Sequence, residues 1–165
     1  MSVNRGKQFE QQVKKALEKL PDTSVDRLID PTAGFAGVGN ISDFIVYNEP
    51  AQIYVECKAY HGNTLNFKAI RPNQWKGLQE KSDIKGVHAG VLVWFIDHDI
   101  TCYVPIKTLV QLVSSGKKSL HYTDITENKI KHYKVPAKKM RVLFDYDFTN
   151  FFEEIRRLER NKCSR

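Results

Sequence analysis

Asp43, Glu56 and Lys58 are the side chains whose types and spacing could do chemistry together. Side chains alternate faces along a β-strand. In the stretch 53–59, Ile53, Val55, Cys57 and Ala59 therefore share one face, and Tyr54, Glu56 and Lys58 share the other. The first face is apolar and suits a core. The second sets a carboxylate beside an ammonium. Asp43 opens the preceding segment, and the short Asn48-Glu49-Pro50 turn favours an antiparallel hairpin between 42–48 and 52–59. In the register where partner numbers sum to 99, Asp43 lies opposite Glu56. Two carboxylates so placed repel unless a cation lies between them. Mg²⁺ favours such a site: it binds one or two carboxylates, keeps several waters and leaves room for phosphate oxygens. The backbone carbonyl of Cys57 can supply another oxygen. Lys58 can lower the pKa of an attacking water, or hold that water and the scissile phosphate by charge. This is the chemistry of metal-assisted phosphodiester hydrolysis. The pattern is short, and its bland counterpart is a turn-capping Asp near an ordinary Glu–Lys ion pair, so the surrounding elements matter.

Those elements read as alternating helices and strands. Residues 4–20 form a first helix capped by Asn4, with Phe9, Val13, Ala16, Leu17 and Leu20 on one stripe. A short strand near 24–29 follows, then a Gly- and Ala-rich loop at about 31–40 without period. Strands at 42–48 and 52–59 precede a helix at 72–82, with Pro72 in its first turn. Residues 88–96 form an apolar run suited to a central strand buried on both faces. A strand at 100–106 and a short helix at 107–115, ended by Gly116, come next. Edge strands and loops fill 119–147, and a helix over 149–162, with Thr149 as its cap, closes the chain. The aromatic run Phe144, Tyr146, Phe148, Phe151 and Phe152 docks that helix on the core or on a second subunit. The expected class is α/β, a mixed central β-sheet flanked by helices.

The 165 residues and 41% hydrophobic content suit one domain with an ordinary core and argue against disorder. No apolar run approaches the ~18 residues of a membrane span, and no apolar leader opens the chain. Cys57, Cys102 and Cys163 show no CxxC spacing, which predicts reduced thiols in a cytoplasmic protein. The five histidines lack metal-ligand spacing; among them His61 follows the Glu-x-Lys strand closely enough to meet a nucleic acid. The loop glycines lack the Lys-Ser/Thr of a nucleotide-phosphate loop. Net charge is +7, distributed as +3 over residues 1–20, −2 over 21–128 and +6 over 129–165. Basic ends around a slightly acidic centre fit a polyanion binder with a separate metal site.

The arrangement of Asp43 before one strand and Glu56-Cys57-Lys58 on the next resembles the PD-(D/E)xK nuclease superfamily, with Ser42 where the name motif has proline. The opening Asn4-Arg5-Gly6-Lys7-Gln8-Phe9-Glu10 narrows the likeness to Holliday junction resolvases of the RecU and archaeal Hjc kind. The helix Asn73-Gln74-Trp75-Lys76-Gly77-Leu78 resembles the Q-x-x-x-L helix after E-x-K. The resemblance covers roughly residues 4–96. RecU proteins carry a longer stalk before the catalytic Asp, so the compact spacing here leans toward the Hjc or phage type.

The resemblance implies a restriction-endonuclease-like fold over 1–165, one nuclease domain with a basic C-terminal helix. It implies catalytic roles for Glu10, Asp43, Glu56, Lys58 and Gln74. Metal ligands would be Asp43, Glu56, Cys57 through its carbonyl, and Glu10. The cofactor would be Mg²⁺, with Mn²⁺ as substitute. The substrate would be branched DNA, a four-way junction resolved by paired nicks from a homodimer in a bacterial, archaeal or phage-infected cytoplasm. Arg5, Lys7, Ser42, Arg156, Arg157 and Arg160 are the expected DNA contacts, and the loop at 31–40 is a further candidate. Two alternatives stand beside this: another PD-(D/E)xK endonuclease of restriction or repair type acting on linear duplex, and a non-catalytic DNA-binding protein on a nuclease scaffold.

Overall fold

The first helix, α1 (Arg5–Glu18), starts where the sequence signals it: the Asn4 side chain accepts the Lys7 backbone N–H. In the computed structural model, which describes residues 4–29, 39–141 and 144–163, its apolar stripe of Phe9, Val13, Ala16 and Leu17 is buried. Of these, Phe9, Val13 and Leu17, taken from water, each add about 1.5–3 kcal/mol of stabilisation. In chain order there follow β1 (Thr23–Arg27), β2 (Phe44–Asn48), β3 (Ala51–Tyr60), β4 (Thr64–Asn66) and α2 (Pro72–Ser82). Then come β5 (Val87–Phe95), β6 (Ile100–Pro105), α3 (Ile106–Ser114), β7 (Ser119–His121) and α4 (Tyr122–Thr126). The chain ends with β8 (Tyr133–Lys134), β9 (Ala137–Lys139), β10 (Phe144–Tyr146) and α5 (Thr149–Cys163).

Among the described residues, six strands make the central sheet in the order β1-β2-β3-β5-β6-β8. Within this sheet, among the described residues, β3 and β5 run parallel and the other neighbours antiparallel. The β3–β5 link carries β4 and α2, long enough for the crossover a parallel pair needs. Two small ribbons, β4–β7 and β9–β10, stand outside the sheet.

Both faces of the sheet are covered, and alternation along β3 sorts its side chains between them. Ile53, Val55 and Cys57 join Leu92 and Trp94 of β5 under α1 and α5. Tyr54 joins Val91, Val93 and Phe95 of β5 under α2 and α3. The aromatics Tyr146, Phe148, Phe151 and Phe152 dock α5 into the first of these clusters.

Element boundaries differ from the sequence expectation by a residue or two at most strands, and the segment 119–147 adds the short α4 to its strands and loops. The cap of α5 is also different. Asp147, not Thr149, supplies the side chain that accepts the Thr149 backbone N–H, at 2.9 Å.

At the far end of the sheet from Lys58, His88 of β5 is tied to Glu159 of α5, ring nitrogen to carboxylate, at 2.9 Å. Burial holds the His88 pKa below its ordinary value, helped by the nearby Lys162 and Lys131 charges and opposed by Glu159. The folded chain thus resists the proton that the unfolded chain takes up near pH 6.5. This contribution is complete above that pH and is lost as pH falls through it. The thermal midpoint is expected to drop more steeply between pH 7.5 and pH 5.5, taken as about one unit either side of the free imidazole value, in the parent than in His88→Gln.

Candidate active site

Strand β2 places Asp43. The β2–β3 ladder runs from Phe44↔Val55 to Asn48↔Ala51, the register with sum 99. Asp43 continues it by one residue, donating its N–H to the Val55 carbonyl at 3.0 Å, while its own carbonyl accepts the Leu28 N–H at 2.8 Å. The next bond is made by the side chain. Asp43 Oδ2 accepts the Cys57 backbone N–H at 2.7 Å. The carboxylate is thus pinned across β3, between the residues that carry Glu56 and Lys58.

Glu56 is 2% exposed. Its Oε1 accepts a hydrogen bond from the Lys58 ammonium at 2.8 Å. Its Oε2 is buried with no hydrogen-bond partner among the described residues. A buried carboxylate oxygen left unpaired costs at least about 1–3 kcal/mol, so this atom calls for a cation or a donor that the protein does not supply. Gln74 is 1% exposed at the start of α2. Its Oε1 accepts the Arg71 backbone N–H at 3.0 Å, which fixes the amide beside Glu56.

The two acids resist holding charge together. Burial raises the Asp43 pKa to about 7, with the Glu56 charge second and the Cys57 N–H opposing. Burial also raises Glu56, despite the Lys58 ammonium, the Gln74 amide and the Arg71 charge that favour its ionised form. The Cys57 thiol is pushed well up, first by burial and then by the charges of Asp43, Glu56 and Glu10. A divalent cation between Asp43 and Glu56 would relieve this repulsion and fill the vacant valence of Oε2. The donor set is all hard oxygen, which fits Mg²⁺ or Mn²⁺ and not a thiolate-seeking metal.

The structure brings Asp43, Glu56, Cys57, Lys58 and Gln74 together. Glu10 stands one step back. Its charge reaches Asp43, but its Oε2 takes the Arg27 guanidinium at 2.7 Å. Among the described residues no three acidic, His or Cys side chains converge on one point, so the acids make a pair rather than a triad. Arg5 and Lys7 are exposed at the start of α1. Ser42, expected to meet DNA, is 2% exposed and donates its hydroxyl to the Phe44 carbonyl. It shapes the turn into Asp43 instead. Arg156 is half-buried and donates to the Asn48 side chain at 2.7 Å. Asn48 ends β2, five residues from Asp43 and about 17 Å along a strand, so Arg156 locks α5 in place away from the acids. Arg157 and Arg160 are exposed on the same helix, and do not join the site. His61 lies beyond the end of β3, its ring 2.8 Å from Asp97. Of the 31–40 loop only residues 39 and 40 are among those described; Asn73 donates to both of their carbonyls.

Sequence reasoning missed Arg27, the partner of Glu10, and Arg71, whose charge reaches Glu56. Arg27 pairs with Phe44 in the β1–β2 register. No short turn joins those two strands, so nothing in the sequence could have fixed that register.

A family model described as Recombination protein U matches residues 37–146, about two thirds of the chain, a range that contains Asp43, Glu56, Lys58 and Gln74. Among solved structures, Archaeoglobus fulgidus Hjc, a Holliday junction resolvase from an archaeal hyperthermophile, aligns at 18% identity with a TM-score of 0.46. The alignment covers 62% of this chain and 78% of that one. No curated protein matches the chain in sequence.

Proposed function

Because this chain belongs to the recombination protein U family of Holliday junction resolvases, we propose that it cuts four-way DNA junctions by divalent-cation-dependent phosphodiester hydrolysis, using Asp43, Glu56 and Lys58. The observation that carries the site assignment is the pairing of Asp43 with the Glu56–Lys58 strand, with Glu56 Oε2 left buried and unpaired. Asp43 and Glu56 would hold Mg²⁺ or Mn²⁺, with the Cys57 carbonyl as a further oxygen. Such an ion, when bound, supplies Lewis-acid polarisation of a phosphate oxygen and a more acidic water.

The remaining work falls to the chain. Lys58 donates one N–H to Glu56 Oε1 and keeps two for an incoming water or a phosphate oxygen. Gln74, locked by the Arg71 backbone, orients the Glu56 carboxylate. Arg27 holds Glu10, so that Glu10 adds negative potential near Asp43 without crowding it. Arg5 and Lys7, beside the first-helix acid, contact phosphates near the cut. Arg157 and Arg160 contact a more distant arm of the DNA. The chain 1–165 acts as one nuclease domain, in the cytoplasm, where such DNA is found. It works as a homodimer, because a twofold pair of sites matches the twofold-related strands of a junction and gives paired nicks.

The test is incubation with a labelled synthetic four-way junction and a matched linear duplex, with Mg²⁺ or with EDTA. Paired nicks in the junction, only with the cation, are expected. Equal cutting of the linear duplex would point instead to a restriction or repair type of nuclease, and no nicking in any condition to a non-catalytic DNA binder.

A further inference from the structure

Strands β9 and β10 form a ribbon outside the central sheet, with Phe144↔Lys139 and Tyr146↔Ala137 in register. One side of the ribbon is anchored. Tyr146 packs edge-on against Phe9 of α1, with 5.6 Å between ring centroids, and Phe144 packs edge-on against Trp94 of β5 at 5.4 Å. Trp94 is the register partner of Ala59, the residue after Lys58. Lys139 reinforces the anchor: its Nζ is 3.4 Å from the Asp99 carboxylate and lies over the Phe144 ring. The ribbon is therefore fixed on the α1 face of the sheet with Cys57 and Ala59, at the end where β3 carries Lys58 on its other face. Glu56 and Ala59 are separated by about 10 Å along β3, the length of about three base steps.

Strand β9 and the two residues after it meet solvent. Residues 137–141 are all exposed, and Met140 is 55% exposed. Met140 lies within Lys138-Lys139-Met140-Arg141, three positive charges and no acid. A flexible apolar side chain ringed by cations fits DNA, whose phosphates attract the cations and whose stacked bases accept an apolar wedge. Insertion costs least where stacking is already interrupted, and the crossover of a four-way junction is such a place.

We propose that Met140 is a wedge that enters the branch point, with Lys138 and Arg141 on the flanking phosphates. The ribbon thereby tells a branch from continuous duplex, while Asp43 and Glu56 act on the DNA from the other face of the sheet. This inference rests on the junction-cutting function proposed above and names the element that recognises the branch.

The experiment uses the full chain in EDTA, where DNA binds without being cut. Junctions carrying 2-aminopurine at the crossover and a matched linear duplex are titrated with the parent, Met140→Ser, and the double variant Lys138→Ala with Arg141→Ala. The parent is expected to prefer the junction and to raise the 2-aminopurine fluorescence as the base unstacks. Met140→Ser is expected to lose about tenfold in junction affinity, and the fluorescence rise with it, while duplex affinity stays unchanged. The double variant is expected to bind both DNAs more weakly and to lower the slope of log affinity against log salt by about 2. A parent that prefers the junction, with Met140→Ser equal to it in preference and fluorescence, overturns the wedge alone. A parent with no preference for the junction overturns the proposed function and the wedge together.

Discussion

Replacing Glu56 by Gln, or Asp43 by Asn, is expected to lower junction cleavage by about a thousandfold or more while leaving junction affinity within a few-fold of the parent. Each change keeps the shape of the side chain and removes the charge that makes the pair attractive to a cation. The loss of several kcal/mol of transition-state stabilisation corresponds to about three powers of ten in rate. Stability should move the other way. Burial raises both pKa values, and the Glu56 and Glu10 charges raise Asp43 further, so the ionised pair strains the folded chain when no cation is bound. In EDTA at neutral pH, Glu56→Gln is expected to melt at or above the parent temperature. A cleavage rate equal to the parent would remove the residue from the chemistry. A large drop in melting temperature would make it a structural residue instead.

Gly90→Ala is expected to destabilise the fold by about 3 kcal/mol or more, read as a lower urea midpoint with an unchanged m-value. A Cβ at Gly90 would stand 2.4 Å from the Val104 carbonyl oxygen and 2.8 Å from the Tyr103 ring. The carbonyl belongs to the β5–β6 ladder and cannot withdraw without breaking it. The Tyr103 ring is buried between Tyr133 and Phe151 and has nowhere to turn. Gly90 also pairs with Val55, the residue before Glu56, so any shift of β5 reaches the site. Gly77→Ala makes a useful contrast. Its Cβ meets the Ile41 side chain, a partly buried group that can rotate, and Ala favours the helix by about 1 kcal/mol over Gly. Its loss should be clearly smaller.

These outcomes bear on how much of the molecule the sequence makes legible. The hairpin that sets Asp43 against Glu56 was readable because a tight turn and strict alternation leave one register, and the observed pairs obey it. The boundaries of α1 and α2 were readable from Asn4, Pro72 and the apolar stripe. The basic helix α5 was readable as a closing helix over 149–162, but not its placement. Its direction depends on Arg156 meeting Asn48 and Glu159 meeting His88, contacts between residues separated by 108 and 71 positions. Ser42 was expected to meet DNA from the resemblance, but it is buried and its hydroxyl donates to the Phe44 carbonyl. The resemblance to junction resolvases implied Glu10 as a ligand. The guanidinium that restrains it comes from β1, whose register no local signal specifies.

The central claim is that Asp43 and Glu56 jointly bind one divalent ion next to the DNA. The most direct measurement is electron paramagnetic resonance of Mn²⁺ in the junction complex of Lys58→Met, which keeps both acids but should cut too slowly to consume the DNA. Bound Mn²⁺ is expected in that complex, and its loss when Glu56→Gln is added. Equal Mn²⁺ occupancy in the two complexes would contradict the assignment.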